Sequence, residues 1–269
     1  MAETKASSFS LSLIWFGAAI SISEIATGVL FSPLGLARGL AATFIGHFIG
    51  FVILILAGCI GAKSRLSSAE STRISFGVYG SYFFSILNIL QLVGWTAIMI
   101  INGALSMDAI SRSVGFGNFP LWCVVIGTLI AVWILLGLKN LSKVNVVVVT
   151  ALLLLCIVLG VKVFTTPAIG EETFETMSFG AAVELSVAMP LSWLPLIADY
   201  TRNAENPVAG TVASAVCYTI GSCFMYFIGM GAAIYAGSSD ISAILLASGM
   251  GAVALVIVLF STVTTTFLD

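Results

Sequence analysis

Two carboxylates, Glu24 and Glu184, interrupt stretches of sequence that are otherwise apolar. A charged carboxylate at the centre of a helix in hydrocarbon costs about 2.5–3.5 kcal/mol on insertion scales. Such a residue either bonds a neighbouring helix in its neutral form or lines a substrate or ion path. Glu24 closes the cluster Ser21-Ile22-Ser23-Glu24, and Glu184 opens Glu184-Leu185-Ser186. A second group is a stripe. Asn88, Gln91, Trp95 and Asn102 are spaced by 3, 4 and 7, so they share one face of a helix. A tryptophan beside amides offers an aromatic face and edge hydrogen bonds, which a planar heterocycle requires. The same amides would also serve to tie helices together. A third group is Ser261, Thr262, Thr265 and Thr266, whose hydroxyls fall on one helical side. Hydroxyls and unwound carbonyls suit a hard cation such as sodium, although Ser and Thr in such helices also bond their own backbone. His47 is the single histidine, set between Gly46 and Phe48, and is either a packing residue or a proton relay.

The elements that must position these groups follow from composition. Of 269 residues, 59% are hydrophobic and 8% are charged. An ordinary soluble domain is roughly 45–50% apolar and about 25% charged. Ten Lys and Arg with twelve Asp and Glu cannot cover a globule of this size in water, and the mean hydropathy is +1.15. The solvent is therefore lipid. A secreted domain, a cytosolic enzyme and a nucleic-acid binder are excluded, the last for want of a basic face. Cys59, Cys123, Cys156, Cys217 and Cys223 all lie in apolar runs without a Cys-x-x-Cys pair, so they read as packing residues.

A membrane-crossing helix needs roughly 20 apolar residues. Eight stretches qualify: 12–33, 41–62, 78–104, 120–138, 144–164, 178–198, 208–236 and 243–268. The expected fold is an all-α polytopic membrane bundle, one transmembrane domain over 1–269. The first apolar stretch is too long for a cleaved signal and is taken as span one. With the N-terminus in the cytoplasm, the inner segments hold Lys5, Lys63, Arg65, Arg73, Lys139, Lys143 and Arg202, and the outer ones Arg38, Arg112 and Lys162. That asymmetry favours a cytoplasmic N-terminus. Span eight runs to Asp269 with no loop after it, so the chain is expected to be a truncated portion of a longer one.

Spans one and six share helix-breaking features. Gly17, Gly28 and Pro33 surround the cluster in span one, and Pro190 and Pro195 flank Ser192-Trp193 in span six. Both spans also open alike, with Phe16-Gly17-Ala18-Ala19 and Phe179-Gly180-Ala181-Ala182. Interrupted helices five spans apart point to inverted five-helix repeats around a midplane site. The first repeat is expected over 12–164 and an incomplete second over 178–269.

Several of these stretches resemble a known family. Trp15-Phe16-Gly17-Ala18-Ala19-Ile20-Ser21, Gly94-Trp95, and Ser192-Trp193-Leu194-Pro195 leading to Asp199-Tyr200-Thr201-Arg202 are similar to the nucleobase:cation symporter-1 family, which includes cytosine permease. Ser21 to Gly28 and Thr264 to Asp269 resemble its hydroxymethylpyrimidine transporter branch, associated with uptake of a thiamine precursor. The resemblance implies a twelve-span inverted-repeat transporter of the amino acid and nucleobase type in the plasma (inner) membrane, of which eight spans are present. It implies a substrate held between spans one, three, six and eight, among Ser23, Glu24, Gln91, Trp95, Glu184, Ser192, Trp193 and Thr266. Trp95 would stack on one ring face, Gln91 and Ser192 would bond the ring edge, and Trp193 would wall the other side. No Asn occurs near Thr266, where cytosine permeases carry one. A coupling sodium would sit between carbonyls of Gly17, Ala18 and Ser21 and the hydroxyls of Thr265 and Thr266, with a proton carried on Glu24 as the rival.

The expected partners are a small planar heterocycle and the lipid bilayer, with no nucleic acid and no cofactor beyond a coupling sodium ion or proton. A transporter of an amino acid or other small solute is the nearest alternative. An intramembrane enzyme would need a nucleophile–base pair or a metal set, and a channel would need charged rings or repeated subunits. Neither pattern occurs, so no catalytic residue is expected.

Overall fold

The computed structural model describes residues 5–113, 115–136, 141–165 and 176–240, with 243, 244, 249, 259, 262 and 266 beyond them. The elements are helices: α1 (Ser8–Ala19), α2 (Ile22–Val29), α3 (Gly35–Ser64), α4 (Ser68–Ser71), α5 (Arg73–Ser113), α6 (Phe119–Leu136), α7 (Leu141–Thr165), α8 (Phe179–Ser192), α9 (Ile197–Thr201) and α10 (Pro207–Ala236). Among the described residues five segments are long and apolar enough to cross a membrane: Ile22–Ser64, Arg73–Ala109, Val146–Thr165, Phe179–Thr201 and Pro207–Ala236. The expected span 12–33 is divided between α1 and α2, span 120–138 corresponds to α6, and most of 243–268 lies outside the described residues. Helix α3 starts six residues before the apolar run expected at 41–62. Hydropathy marks the hydrocarbon core, whereas the helix runs on into the interface, where Arg38 is tolerated.

Span one breaks at Ile20-Ser21. Helix α1 ends at Ala19, and Ser21 is extended (φ −137, ψ 159). The Ser21 hydroxyl caps α2 by accepting the Glu24 N–H at 3.4 Å. After α2 the chain turns through a 3-10 segment, Ser32–Leu34, whose Pro33 cannot continue a helix, into Gly35 at φ 71. Gly28, which sequence pattern marks as a breaker, lies inside α2 and has a packing role described below.

Span six breaks after Ser192, and the break can be followed bond by bond. Pro190 lies inside α8, and Pro195 has no N–H to donate. The Leu196 N–H turns to the Trp193 carbonyl at 3.0 Å, as does that of Ile197. The Ser192 carbonyl thereby loses its helical partner four residues on. The Gln91 side chain of α5 replaces it, donating from Nε2 to Ser192 O at 2.7 Å. Hydrocarbon cannot satisfy a freed carbonyl, so the amide is what makes the break tolerable.

The chain packs as two compact units. The first comprises Met1–Ala19, Leu40–Gly94 and Phe179–Cys223; the second comprises Ile20–Gly39, Trp95–Ser178 and Phe224–Asp269. In the first, Trp15 (1% exposed) is surrounded edge-on by Trp193 at 5.4 Å, Tyr200 at 5.7 Å and Tyr218 at 6.0 Å. The Ala6 N–H donates to Asn203 O at 3.0 Å and the Glu205 N–H to Ala6 O at 2.9 Å, pinning the start of the chain beside the end of α9. In the second, α2 meets the last turns of α10 with backbones nearly touching. A methyl group at Gly28 would collide with the Tyr226 backbone, and one at Gly229 with the Ile25 carbonyl. Phe31 meets Tyr226 edge-on at 5.3 Å, and Phe164 of α7 stacks on Phe227 of α10 at 4.6 Å. Ala104, Ile126 and Ile130 form a core between α5 and α6, closed by Ile100, Phe119, Trp122 and Leu259.

Two stability predictions follow from these contacts. Gly229→Ala sets a methyl against backbone that cannot rotate away, and it should destabilise the chain by about 1–3 kcal/mol. At Gly94 an added Cβ meets open space among the described residues, so Gly94→Ala should be neutral or stabilising by up to about 1 kcal/mol. Thermal unfolding in detergent distinguishes them, and equal melting temperatures would overturn the packing account. Gln91→Leu should cost about 1–3 kcal/mol by orphaning the Ser192 carbonyl. Gln91→Glu, which sets an acceptor against an acceptor, should do no better. A Gln91→Leu protein melting with the parent would show that the carbonyl has another partner.

Candidate functional site

The second unit holds an open cavity of about 740 Å3. Its walls are α2, through Ile22, Ser23, Ala26 and Thr27, and the distal half of α5, through Trp95, Ile98, Asn102, Leu105 and Asp108. Ser239 and Asp240, just past α10, complete the wall. The stripe Trp95, Ile98, Asn102, Leu105, Ala109 and Arg112 advances by three or four residues at each step, which is why one face of α5 lines the cavity throughout. From Trp95 to Asp108 the helix rises about 20 Å, at ~1.5 Å per residue. Ser23 points its hydroxyl at the Met99 sulfur, 3.3 Å away. Asp108 is buried and accepts the Arg112 Nε–H at 2.7 Å, while the Arg112 side chain is 71% exposed. The cavity therefore runs from an aromatic face flanked by a hydroxyl and an amide to an ion pair one helical turn long.

The first unit holds a smaller cavity, about 340 Å3, lined by Ser68, Thr72, Ser85, Asn88, Gln91 and Pro195 among others. Gln91, which lines this cavity, is the residue that bonds the Ser192 carbonyl. The Ser192 hydroxyl donates back to Met189 O at 2.7 Å, closing the last turn of α8. Trp193 is buried, edge-on to Trp15 and, at 6.0 Å, to Tyr218.

The residues singled out from sequence divide between the units. Gly17, Ala18, Gln91, Glu184, Ser192 and Trp193 belong to the first, and Ser21, Ser23, Glu24, Trp95 and Thr266 to the second. Ser23 and Trp95 line one cavity, as do Asn88 and Gln91 the other. The two span carboxylates have different surroundings. Glu24 is 2% exposed, whereas Glu184 is exposed on α8 while Ser186, about 200° round the axis, is buried. Gly17 and Ala18 lie in the last turn of α1, where helix carbonyls lack intrahelical donors. The Thr266 hydroxyl is buried and donates to Thr262 O at 2.7 Å. Thr265 lies outside the described residues.

The Asp199-Tyr200-Thr201-Arg202 element forms a junction between α4, α9 and the end of α3. The Ser68 hydroxyl accepts the Ala198 N–H at 3.1 Å, and Asp199 Oδ2 accepts the Ser68 N–H at 3.4 Å. Arg65, with positive φ of 57, closes α3 and donates from Nη1 to Arg202 O and Ala204 O at 2.6 and 2.7 Å. Glu70 completes a capping box with Ser67. The Ser67 backbone and hydroxyl donors, aided by Arg202 and Arg73, hold its carboxyl below the usual range.

Asp108, Arg112 and Asp240 were not anticipated as cavity residues. The signal was present for two of them: Asp108 and Arg112 stand four apart on the face begun by Trp95 and Asn102. Both lie beyond the apolar run 78–104, and the sequence pattern weighs Arg112 only as a cation of an outer segment.

Comparison with known proteins sets the geometry in a family. A family described as permeases for cytosine/purines, uracil, thiamine and allantoin matches residues 1–267. The cytosine permease of Escherichia coli (strain K12) is 26% identical over 249 residues, which cover 89% of this chain and 57% of that protein. The hydantoin permease of Microbacterium maritypicum is 30% identical over 147 residues, 54% of this chain and 30% of the relative. Thus the chain spans little more than half the length of the cytosine permease it matches. The fold is that of Mhp1, a nucleobase-cation-symport-1 family transporter solved in a closed conformation with bromovinylhydantoin bound: TM-score 0.78 at 23% identity, covering 99% of this chain and 64% of Mhp1. With the match running through nearly its whole length, the chain belongs to the nucleobase:cation symporter family of permeases for cytosine/purines, uracil, thiamine and allantoin.

Proposed function

We propose that the chain carries the binding elements of a secondary transporter that moves a pyrimidine-type nucleobase together with a cation across the plasma (inner) membrane, its N-terminus in the cytoplasm. The observation that carries this reading is the cavity of about 740 Å3 in which Trp95 stands with Ser23 and Asn102. A flat heterocycle needs one aromatic face and a few edge donors and acceptors, and cavities of roughly 300–1,000 Å3 hold small ligands. The relatives named for cytosine and for hydantoin agree in one respect: both names denote flat nitrogen heterocycles. The Ser21 to Gly28 text and the lack of an Asn near Thr266 favour hydroxymethylpyrimidine over cytosine within that class.

In this reading the ring stacks on Trp95, Gln91 and Ser192 address its edge, and Trp193 walls the opposite side, with Ser23, Glu24, Glu184 and Thr266 contributing polar groups. Gln91 reaches Ser192 through the backbone carbonyl and so also sets the backbone on which Ser192 and Trp193 are carried. Residues 12–164 form a first five-helix repeat and 178–269 part of a second. Supporting this, each interrupted span is followed by a helix of 30 residues, α3 and α10. The coupling ion is sodium, held by carbonyls near Gly17, Ala18 and Ser21 and by the Thr265 and Thr266 hydroxyls.

Stacking on an aromatic side chain contributes about 1–3 kcal/mol per base in single-stranded nucleic-acid binding. Trp95→Ala in folded protein should therefore weaken binding of hydroxymethylpyrimidine or cytosine by tens of fold. Unchanged affinity would remove Trp95 from the site, and a panel in which only amino acids bind would replace the substrate class. Coupling has its own test. Uptake at fixed pH should rise with external sodium, and Thr265→Ala with Thr266→Ala should abolish that response. Uptake that proceeds undiminished in choline buffer and collapses in Glu24→Gln would instead assign the coupling ion as a proton.

A further inference from the structure

His47 lies near the middle of α3 and is fully buried. Both ring nitrogens are engaged within the first unit. Nδ1 is 2.7 Å from the Ser186 hydroxyl of α8 and 3.1 Å from Thr43 O, and Nε2 is 2.6 Å from the Ser222 hydroxyl of α10. The Ser186 hydroxyl donates to Thr43 O at 2.7 Å, so at Nδ1 it can only accept. That places a ring proton on Nδ1, and in the neutral ring Nε2 then accepts from Ser222. One neutral imidazole thereby bridges three helices, donating to α8 and accepting from α10.

The point of attachment on α8 is informative. Pro190 has no N–H, and the helical partner it cannot supply is that of the Ser186 carbonyl four residues back. The turn that proline weakens is the turn whose side chain His47 and Thr43 clamp. Helix α3 also comes closest there. A methyl at Gly46 would collide with the Ser186 side chain, and one at Gly50 would lie 3.0 Å from the Pro190 ring. Six residues beyond Ser186 the helix ends at Ser192, and Trp193 follows.

We propose that His47 is a positioning residue for substrate binding, whose Nδ1–H, through Ser186, fixes the direction in which α8 presents Ser192 and Trp193. This rests on the reading above that Ser192 and Trp193 face the substrate. The bond to α8 carries the effect, and the bond to Ser222 orients the ring. The two ends of the imidazole are therefore unequal. Asparagine at 47 places an amide near the Nδ1 position and retains the donor to Ser186. Glutamine reaches the Nε2 position and retains only the contact to α10. Leucine keeps the bulk and loses both.

The test measures binding of cytosine, hydroxymethylpyrimidine and hydantoin to the full chain in lipid nanodiscs, together with its melting temperature. His47→Leu should weaken binding of the best probe by about tenfold. His47→Asn should stay within about threefold of the parent, and His47→Gln should resemble the leucine variant. A helix strut with no part in positioning would lower the melting temperature and leave the affinity of the folded fraction unchanged, and that result overturns the proposal. Equal affinities for the Asn and Gln variants overturn it too. Should His47→Leu fail to fold, Ser186→Ala and Ser222→Ala decide the matter: the first should weaken binding several-fold and the second little, and the reverse order sinks the assignment. Ser192→Ala and Trp193→Ala separate the inference from its premise. If they leave binding intact, the site reading falls. If they weaken binding while every His47 and Ser186 variant binds like the parent, only the role of His47 falls.

Discussion

A helix broken inside hydrocarbon exposes backbone groups that lipid cannot satisfy, and each such group must find a partner in the protein. Among the described residues, spans one and six break in this way. In span one the Ser21 hydroxyl caps the helix that restarts at Ile22. In span six the Ser192 carbonyl, abandoned when the Leu196 N–H turns to Trp193, is taken by Gln91. The polar side chains beside the breaks are thus part of the price of interruption before they are anything else. What the interruption provides is short helix ends, backbone carbonyls and small polar residues at a depth where an unbroken helix would present only side chains.

Close backbone contact is the second device. Gly28 and Gly229 bring α2 against α10 in one unit, and Gly46 and Gly50 bring α3 against α8 in the other. Hydrophobic burial gives helices in lipid little reason to associate, so packing and interhelical hydrogen bonds carry more of the work. The His47 bridge lies where both devices coincide: glycine permits the approach, and the imidazole bonds across it. By contrast, the first half of α5 is largely exposed, with Tyr79, Tyr82, Phe83 and Leu90 each more than half accessible.

The Asp199-Tyr200-Thr201-Arg202 element illustrates how a distinctive motif and a binding site can part company. It is a moderately specific part of the resemblance, which rests on the combination of motifs. Yet its side chains and carbonyls are engaged with Ser68, Glu70 and Arg65 at the junction of α4 with α9. Charge and capping account for those residues without a ligand. The cavity-lining face of α5 is the opposite case: its cavity residues are spread over several turns and form no compact motif, but the helical repeat brings them to one wall.

Much of this was legible in one dimension. A low charge content and long apolar runs dictate a helical membrane protein, because only helices and closed barrels satisfy their backbones in lipid. Proline and glycine near Ser21 and Ser192 mark both breaks, and the spacing of Trp95 and Asn102 marks a shared face. These properties are local, set within a few turns of chain. Other features depend on residues far apart in sequence. That Gly28 packs and does not break, that Gln91 bonds a backbone carbonyl, that Asp240 joins the cavity of Trp95, and that His47 joins Ser186 to Ser222 could not be read from any window. Hydropathy records the solvent a residue prefers, whereas the partner it meets is set by which helices come into contact, and only the tertiary structure decides that.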